Sequence, residues 1–197
     1  MKTLFTIDLK NYQKNWTASR RDSARAIIHL DDDKLALVYA KKLGYYKFPG
    51  GGIHQDENIK TALLREVQEE TGLLVIPSSI KEYGVVHRLQ KSGLAQNTIF
   101  VQDSFYYECQ VESTDKAPAK DQTSLKIVNQ NLDDYEDKAG FELRVVSIKE
   151  ALEANEKYKE DNDFNIVMIA RDTRILELML GIPSEPSRAM AELLLQE

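Results

Sequence analysis

Cysteine is nearly absent: Cys109 is the single one in 197 residues, so no disulfide can form within the chain. A lone thiol fits a reducing compartment, and its apolar, strand-like surroundings point to a buried, inert side chain. No apolar run approaches the ~20 residues that a membrane-spanning helix needs. The opening MKTLFTIDLKNYQKNW lacks a secretory apolar core and carries Asp8 early, so a cytoplasmic location is expected. A basic excess is missing too: 26 Lys and Arg stand against 32 Asp and Glu, a net charge of −6. Stable nucleic-acid binding draws most of its affinity from a basic field and is therefore not expected. A nucleotide-sized anion is not excluded, because a bound cation offsets acidic side chains locally. No internal repeat and no linker divides the chain, and its length suits one domain over residues 1–197.

What is present is concentrated in Gly51 to Leu73, GGIHQDENIKTALLREVQEETGL. The preceding Phe48-Pro49-Gly50 and the two further glycines cannot form a regular element, because proline fixes its own φ and glycines prefer turns. Beyond them Ile59, Leu63, Val67 and, less regularly, Ala62 recur at helical spacing, so one face of a helix can pack on a core. Thr71-Gly72 ends that helix, with glycine suited to the left-handed residue past its last turn. Glu66, Glu69 and Glu70 are related by i+3 and i+4 and share one side. Like charges so placed repel, and a hard divalent cation with oxygen ligands compensates them. Arg65 lies eight residues after Glu57, near its line on the helix, and can hold it or a neighbouring carboxylate through a two-pronged hydrogen bond. An acidic string of this kind is usually a solvated helix face; the fixed spacing of seven specified residues argues otherwise here.

The stretch resembles the Nudix box, the signature of the Nudix hydrolase (MutT-like) family. Its pattern is G, five residues, E, seven residues, then R-E-apolar-x-E-E-x-G-apolar, and every specified position is met. The resemblance implies an α/β/α sandwich around a central mixed β-sheet, with the box as loop–helix–loop. It also implies Mg²⁺- or Mn²⁺-dependent cleavage of a nucleoside diphosphate linked to another moiety. Carried over by position, Glu66, Glu69 and Glu70 would ligate metal, with the carbonyl of Gly50 or Gly51 as a further ligand, and Glu57 and Arg65 would organise the loop. His54 and Asp56 depart from frequent wording at positions outside the signature. A further acid from a loop outside the box often binds metal or activates water in this family; Glu136, ahead of the last strand, is the candidate, with Asp133, Asp134 and Asp137 open.

In chain order, residues 1–24 read as a polar lead-in, with Arg20 and Arg21 solvated. Residues 24–30 and 35–40 read as a hairpin closed by an aspartate turn, with His29 packed or at an edge. Lys41 and Lys47, ahead of the box, and Arg88, after it, are the candidate substrate-phosphate contacts; Tyr45 and Tyr46 read as loop anchors. Residues 73–76, 82–89, 97–102, 104–111 and 141–148 read as strands, with a turn near Asp103. Residues 112–123 read as a mobile loop, and 133–137 as an acidic one. Ser147-Ile148-Lys149-Glu150 is a capping box that opens a helix over about 148–158. Further helices are expected at 164–180, with Ile166, Ile169, Thr173, Leu176 and Leu180 on one face, and at 186–196, which either packs on the domain or pairs a homodimer. Substrate-class markers of the family outside the box are absent. Two readings compete with a nucleotide pyrophosphohydrolase. A non-catalytic Nudix ligand-sensing domain would usually lose box carboxylates, and this chain keeps them. An isoprenoid diphosphate isomerase would need a cysteine ahead of the box, and Cys109 follows it.

Overall fold

The computed structural model describes residues 1–31, 33–114, 118–158 and 163–183. The helix expected at 186–196 lies outside the described residues. The strands are β1 (Thr3–Asp8), β2 (Thr17–Arg20), β3 (Ser23–Asp31), β4 (Lys34–Ala40), β5 (Tyr45–Lys47), β6 (Gly50–Gly52), β7 (Lys81–Lys91), β8 (Thr98–Cys109) and β9 (Phe141–Ser147). The helices are α1 (Ile59–Thr71), α2 (Asp134–Ala139), α3 (Ile148–Glu156) and α4 (Asp163–Met179). The sheet runs β1-β7-β8-β3-β4-β5, with β2 on β8, β6 on β3 and β9 on β4. It is mixed: β1 and β7, β2 and β8, and β3 and β8 are parallel, and the other ladders are antiparallel.

Helices cover both faces, giving an α/β/α sandwich. Ala24, Ala26 and Ile28 of β3 pack with Ala62, Leu63 and Val67 of α1. Ile27 faces the other way, into a cluster with Val86, Tyr106 and residues of α3 and α4. A strand covered on both faces has no polar side to alternate with, which is why Ser23–Ile28 is buried throughout. Burying Leu63 and Val67 contributes about 1.5–3 kcal/mol each, the main force seating α1 on the sheet.

The hairpin 24–40 is present, and the helices expected over about 148–158 and 164–180 appear as α3 and α4. Five expectations change. The lead-in 1–24 holds β1 and β2, each paired in parallel to a central strand, and Ile7 is fully buried. The expected turn at Asp103 is absent and β8 runs through it. Asp103 lies opposite His87, its amide donates to Asp22 Oδ1 at 3.0 Å, and its carboxylate bonds His87 and Arg20, so a polar residue is satisfied inside a strand. Residues 73–76 form isolated bridges, Leu73 to Ile127 and Val75 to Val111, rather than a ladder strand. The acidic segment 133–137 is the start of α2, not a loop: Asp133 caps it and accepts from the amides of Tyr135 and Glu136 at 2.9 Å. In α4, the one-faced amphipathic expectation is replaced by burial of every residue from Val167 to Glu177, with Arg171 paired to Asp172 and Arg174 to Glu177.

Candidate active site

The site begins with backbone geometry. Gly52, Gly51 and Gly50 pair antiparallel with Ser23, Ala24 and Arg25. Gly50 has φ +132°, and a Cβ there would run into the carbonyl oxygen of Ala24, so only glycine fits. A Cβ on Gly51 would occupy the space of the Glu66 carboxylate. The loop is therefore glycine-rich because β3 lies against one position and a carboxylate against the next.

From this loop the chain enters α1 at Asn58, whose Oδ1 accepts from the Thr61 amide at 2.9 Å. The helix ends at Gly72 (φ +72°), whose amide donates to Gln68 at 2.8 Å. Its last carbonyls are satisfied from outside: Gln130 Nε2 donates to Glu70 O at 2.5 Å, and the Asn131 amide to Glu69 O at 2.9 Å. That docking brings the following α2 beside the end of α1.

Glu66, Glu70 and Glu136 each bring a carboxylate oxygen within 4.8 Å of the other two. The structure thus unites two box acids with the acid from outside the box. Glu70 is 1% exposed. It is held from two sides: Lys47 Nζ pairs with Oε1, and the Gly50 amide donates to Oε2 at 2.8 Å. Burial pushes Glu66 above the usual carboxylate range, with Glu70 adding repulsion and Arg65 opposing it. Glu136 is pushed up to about 7 by burial, opposed by the Asp133 amide and reinforced by Glu70.

Arg65 organises the outer half. Its Nε and Nη2 fork onto Glu57 at 3.2 and 2.5 Å, Nη2 also reaches the Gly52 carbonyl at 3.1 Å, and Nη1 donates to Glu66 at 2.7 Å and Glu69 at 2.9 Å. Glu57 accepts from the His54 amide at 2.8 Å, closing the loop, and hydrogen bonding from Arg65 holds its carboxyl down to about 2. Glu69 stands apart from the carboxylate triple, bound to Arg65. The Gly50 carbonyl, expected as a metal ligand, already accepts from Arg25 Nη1 and lies 3.5 Å from Lys47 Nζ.

The expected substrate contacts separate. Lys47 is buried in the site against Glu70, its Nζ 4.7 Å from the centre of the Phe141 ring. Lys41 is exposed and 3.9 Å from Glu142. Arg88 is buried, donates to Gln90 at 2.8 Å and lies 5.4 Å from the Phe100 ring. Arg21, read from the sequence as solvated, has its guanidinium against Gly52: a Cβ there would lie 3.0 Å from Nε. Arg25 and Asp172 reach the loop from beneath and were not singled out in the sequence. The burial of β3 hides Arg25 among apolar neighbours, and Asp172 lies 124 residues from the amide it binds.

The NUDIX domain model matches residues 19–164. The chain belongs to the Nudix family. Among curated relatives, an uncharacterized Nudix hydrolase, YvcI, of Bacillus subtilis is 34% identical over 62 residues, 32% of this chain and 38% of that protein. An RNA pyrophosphohydrolase of Acinetobacter baylyi is 45% identical over 49 residues, 24% of this chain and 30% of that protein. The chain thus spans less than two-fifths of the length of either relative. A mutator MutT protein from Bacillus halodurans has a solved structure that superposes with a TM-score of 0.47 at 19% identity, covering 81% of this chain and 82% of that one. The Nudix box is the loop–helix unit described above.

Proposed function

We propose that this Nudix protein hydrolyses a phosphoanhydride in a nucleoside diphosphate linked to another moiety, with Mg²⁺ or Mn²⁺ as cofactor. The observation that carries the reading is the meeting of Glu66, Glu70 and Glu136 within 4.8 Å. Three carboxylates so close, two of them shifted toward the neutral form by burial, suit a hard cation with oxygen ligands. Glu66, Glu70 and Glu136 would hold the metal, which would supply charge neutralisation and Lewis acidity at the diphosphate. Glu70 serves as the fixed anchor, because Lys47 and the Gly50 amide hold it in one orientation. Glu66 or Glu136 takes the proton of the attacking water at a carboxylate oxygen. Arg65 and Glu57 keep the loop and the outer carboxylates in register. Arg21, exposed beside Gly52, is placed to meet a substrate phosphate. The intact carboxylates favour catalysis over ligand sensing alone. The substrate is a small nucleotide or nucleotide conjugate rather than a stably bound nucleic acid.

The test is phosphate release from a panel of nucleotides and conjugates with Mg²⁺, coupled to inorganic pyrophosphatase or alkaline phosphatase. Dependence on pyrophosphatase with a triphosphate identifies a nucleotide pyrophosphatase. Dependence on phosphatase with a conjugate identifies a diphosphate-linked hydrolase. No release from any substrate, with measurable ligand binding, overturns the hydrolase reading.

A further inference from the structure

The box loop is held from behind by a buried charged network that belongs to neither the box nor its helix. Its peptide groups can be accounted for one by one. The Phe48 amide donates to Asp172 Oδ2 at 3.1 Å. The Phe48 carbonyl accepts from Arg25 Nη1 at 3.4 Å, and the Gly50 carbonyl accepts from the same nitrogen. The Pro49 carbonyl accepts from the Ala26 amide at 2.8 Å. The Gly50 amide donates to Glu70 Oε2 at 2.8 Å. Every backbone donor and acceptor from Phe48 to Gly50 is thus committed, and charged side chains take four of these five bonds.

Asp172 is the fixed point of the network. It is 0% exposed, and its Oδ1 accepts from Tyr106 Oη at 2.5 Å and Arg171 Nε at 2.9 Å. Burial pushes its carboxyl up, yet Arg171 and Arg25 outweigh that and keep it ionised below the usual range. Arg171 is itself tied to the sheet, its Nη1 donating to Ser104 Oγ at 3.1 Å. A buried carboxylate is a costly way to fill space, since apolar residues of similar volume usually do as well or better. What it supplies here is direction: an amide from β5's end, a phenol from β8 and a guanidinium from α4 are all aimed at two oxygens.

We propose that Asp172 and Arg25 are positioning residues for metal binding and hydrolysis. They fix the Phe48–Gly50 backbone so that the Gly50 amide meets Glu70 in a single orientation. The proposal deepens the hydrolase reading and rests on it for the reaction, but its first consequence concerns the cation. Glu70 is hydrogen-bonded by the loop, and outer partners of this kind typically change metal affinity by about 10–100-fold when lost. A loop that shifts by a fraction of an ångström turns the Glu70 carboxylate away from Glu66 and Glu136.

The experiment compares Asp172→Asn, Arg25→Lys and Leu176→Ala, the last a cavity in the same helix and the same apolar cluster as Phe48 and Tyr106 that removes no hydrogen bond of the network. Mg²⁺ binding is measured by calorimetry and by the Mg²⁺-induced rise in Tm, alongside kcat, KM and the Mg²⁺ half-saturation on a substrate that the wild type turns over. Asp172→Asn and Arg25→Lys are expected to weaken Mg²⁺ about tenfold or more and to lower kcat with KM nearly unchanged. Leu176→Ala should lower Tm while keeping Mg²⁺ affinity. Unchanged Mg²⁺ affinity in Arg25→Lys, or an equal loss in Leu176→Ala, overturns the proposal. Should Asp172→Asn not fold, Tyr106→Phe, which removes one donor to Asp172, and Arg25→Lys decide the matter. Because Mg²⁺ binding is read without substrate, a protein that bound Mg²⁺ but hydrolysed nothing would refute the hydrolase reading and still test this one.

Discussion

Lys47 and Glu70 form a buried ion pair in the middle of the carboxylate site, and that pairing changes how Glu70 should be tested. Glu70→Gln removes the anchor carboxylate and also leaves Lys47 without its partner, so the loss of turnover will come with destabilisation of about 3–5 kcal/mol. Glu66→Gln is the cleaner probe, because Arg65 keeps Glu57 and Glu69 as partners. It should fall in kcat by about 10²-fold or more with a nearly unchanged Tm, as steady-state kinetics and calorimetry will show. Glu136 gives a pH signature. Its folded carboxyl is raised to about 7 from an ordinary ~4.3, so without cation its contribution to stability declines as pH rises through that window. A bound cation reverses this, and Mg²⁺ should raise Tm more at pH 8 than at pH 6. Glu136→Gln should abolish most of the difference. Glu57 has the opposite sign. Arg65 holds it down to about 2, so its contribution is complete above ~4.3 and is lost as pH falls toward 2. Glu57→Gln should flatten that part of an acid-unfolding curve, and an unchanged curve would refute the assignment.

At the scale of elements, the site depends on how closely a loop and a helix approach. Gly51→Ala places a methyl group where the Glu66 carboxylate lies, and the flexible acid must swing away. The fold should survive with a Tm close to wild type, while kcat falls by about 10²-fold from misplacement of one carboxylate. Gly50→Ala is harsher, because its Cβ meets the backbone of β3 rather than a side chain. The short helix α2 has a reciprocal cap, with Glu136 Oε2 accepting from the Asp133 amide at 3.0 Å. Asp133→Ala should cost about 1 kcal/mol and, by loosening Glu136, raise the Mg²⁺ concentration needed for half-maximal activity. A half-saturation equal to wild type would show that α2 does not position that acid.

For the whole molecule, the central placement of β3 joins the two halves of the site. One face of β3 seats α1 with Glu66 and Glu70, and the other carries Arg25 toward α4 and Asp172. Cys109 shows the same enclosure: burial pushes its thiol up to about 12, so it should resist a thiol reagent at pH 8 until the protein is unfolded. Among the described residues no helix is long and apolar enough to cross a membrane.

Local regularities carried most of what could be read in advance. The box helix, its glycine stop, the 24–40 hairpin and the capping box at Ser147 rest on spacing within a few residues, and each stands in the structure. The fork of Arg65 on Glu57 was legible for the same reason, as two turns of helix separate them. Elements whose sequences lack a period were not legible: β1 and β2 are strands because β7 and β8 offer them backbone partners, and Asp103 stays in a strand because Arg20 and His87 hydrogen-bond its carboxylate. The choice among acids was likewise tertiary. Glu66, Glu69 and Glu70 are equivalent on the helix, but only docking of 128–131 on the end of α1 brings Glu136 to the first and last of them. Asp172 belongs to the same class, since no pattern within α4 can reveal that its carboxylate meets the Phe48 amide 124 residues away. The sequence by itself determined the box and the shared side of its helix acids, because helical spacing is a local property of the backbone. Which carboxylates lie together, and what holds the loop behind them, was decided by long-range packing, where burial and charge compensation select partners that lie far apart along the chain.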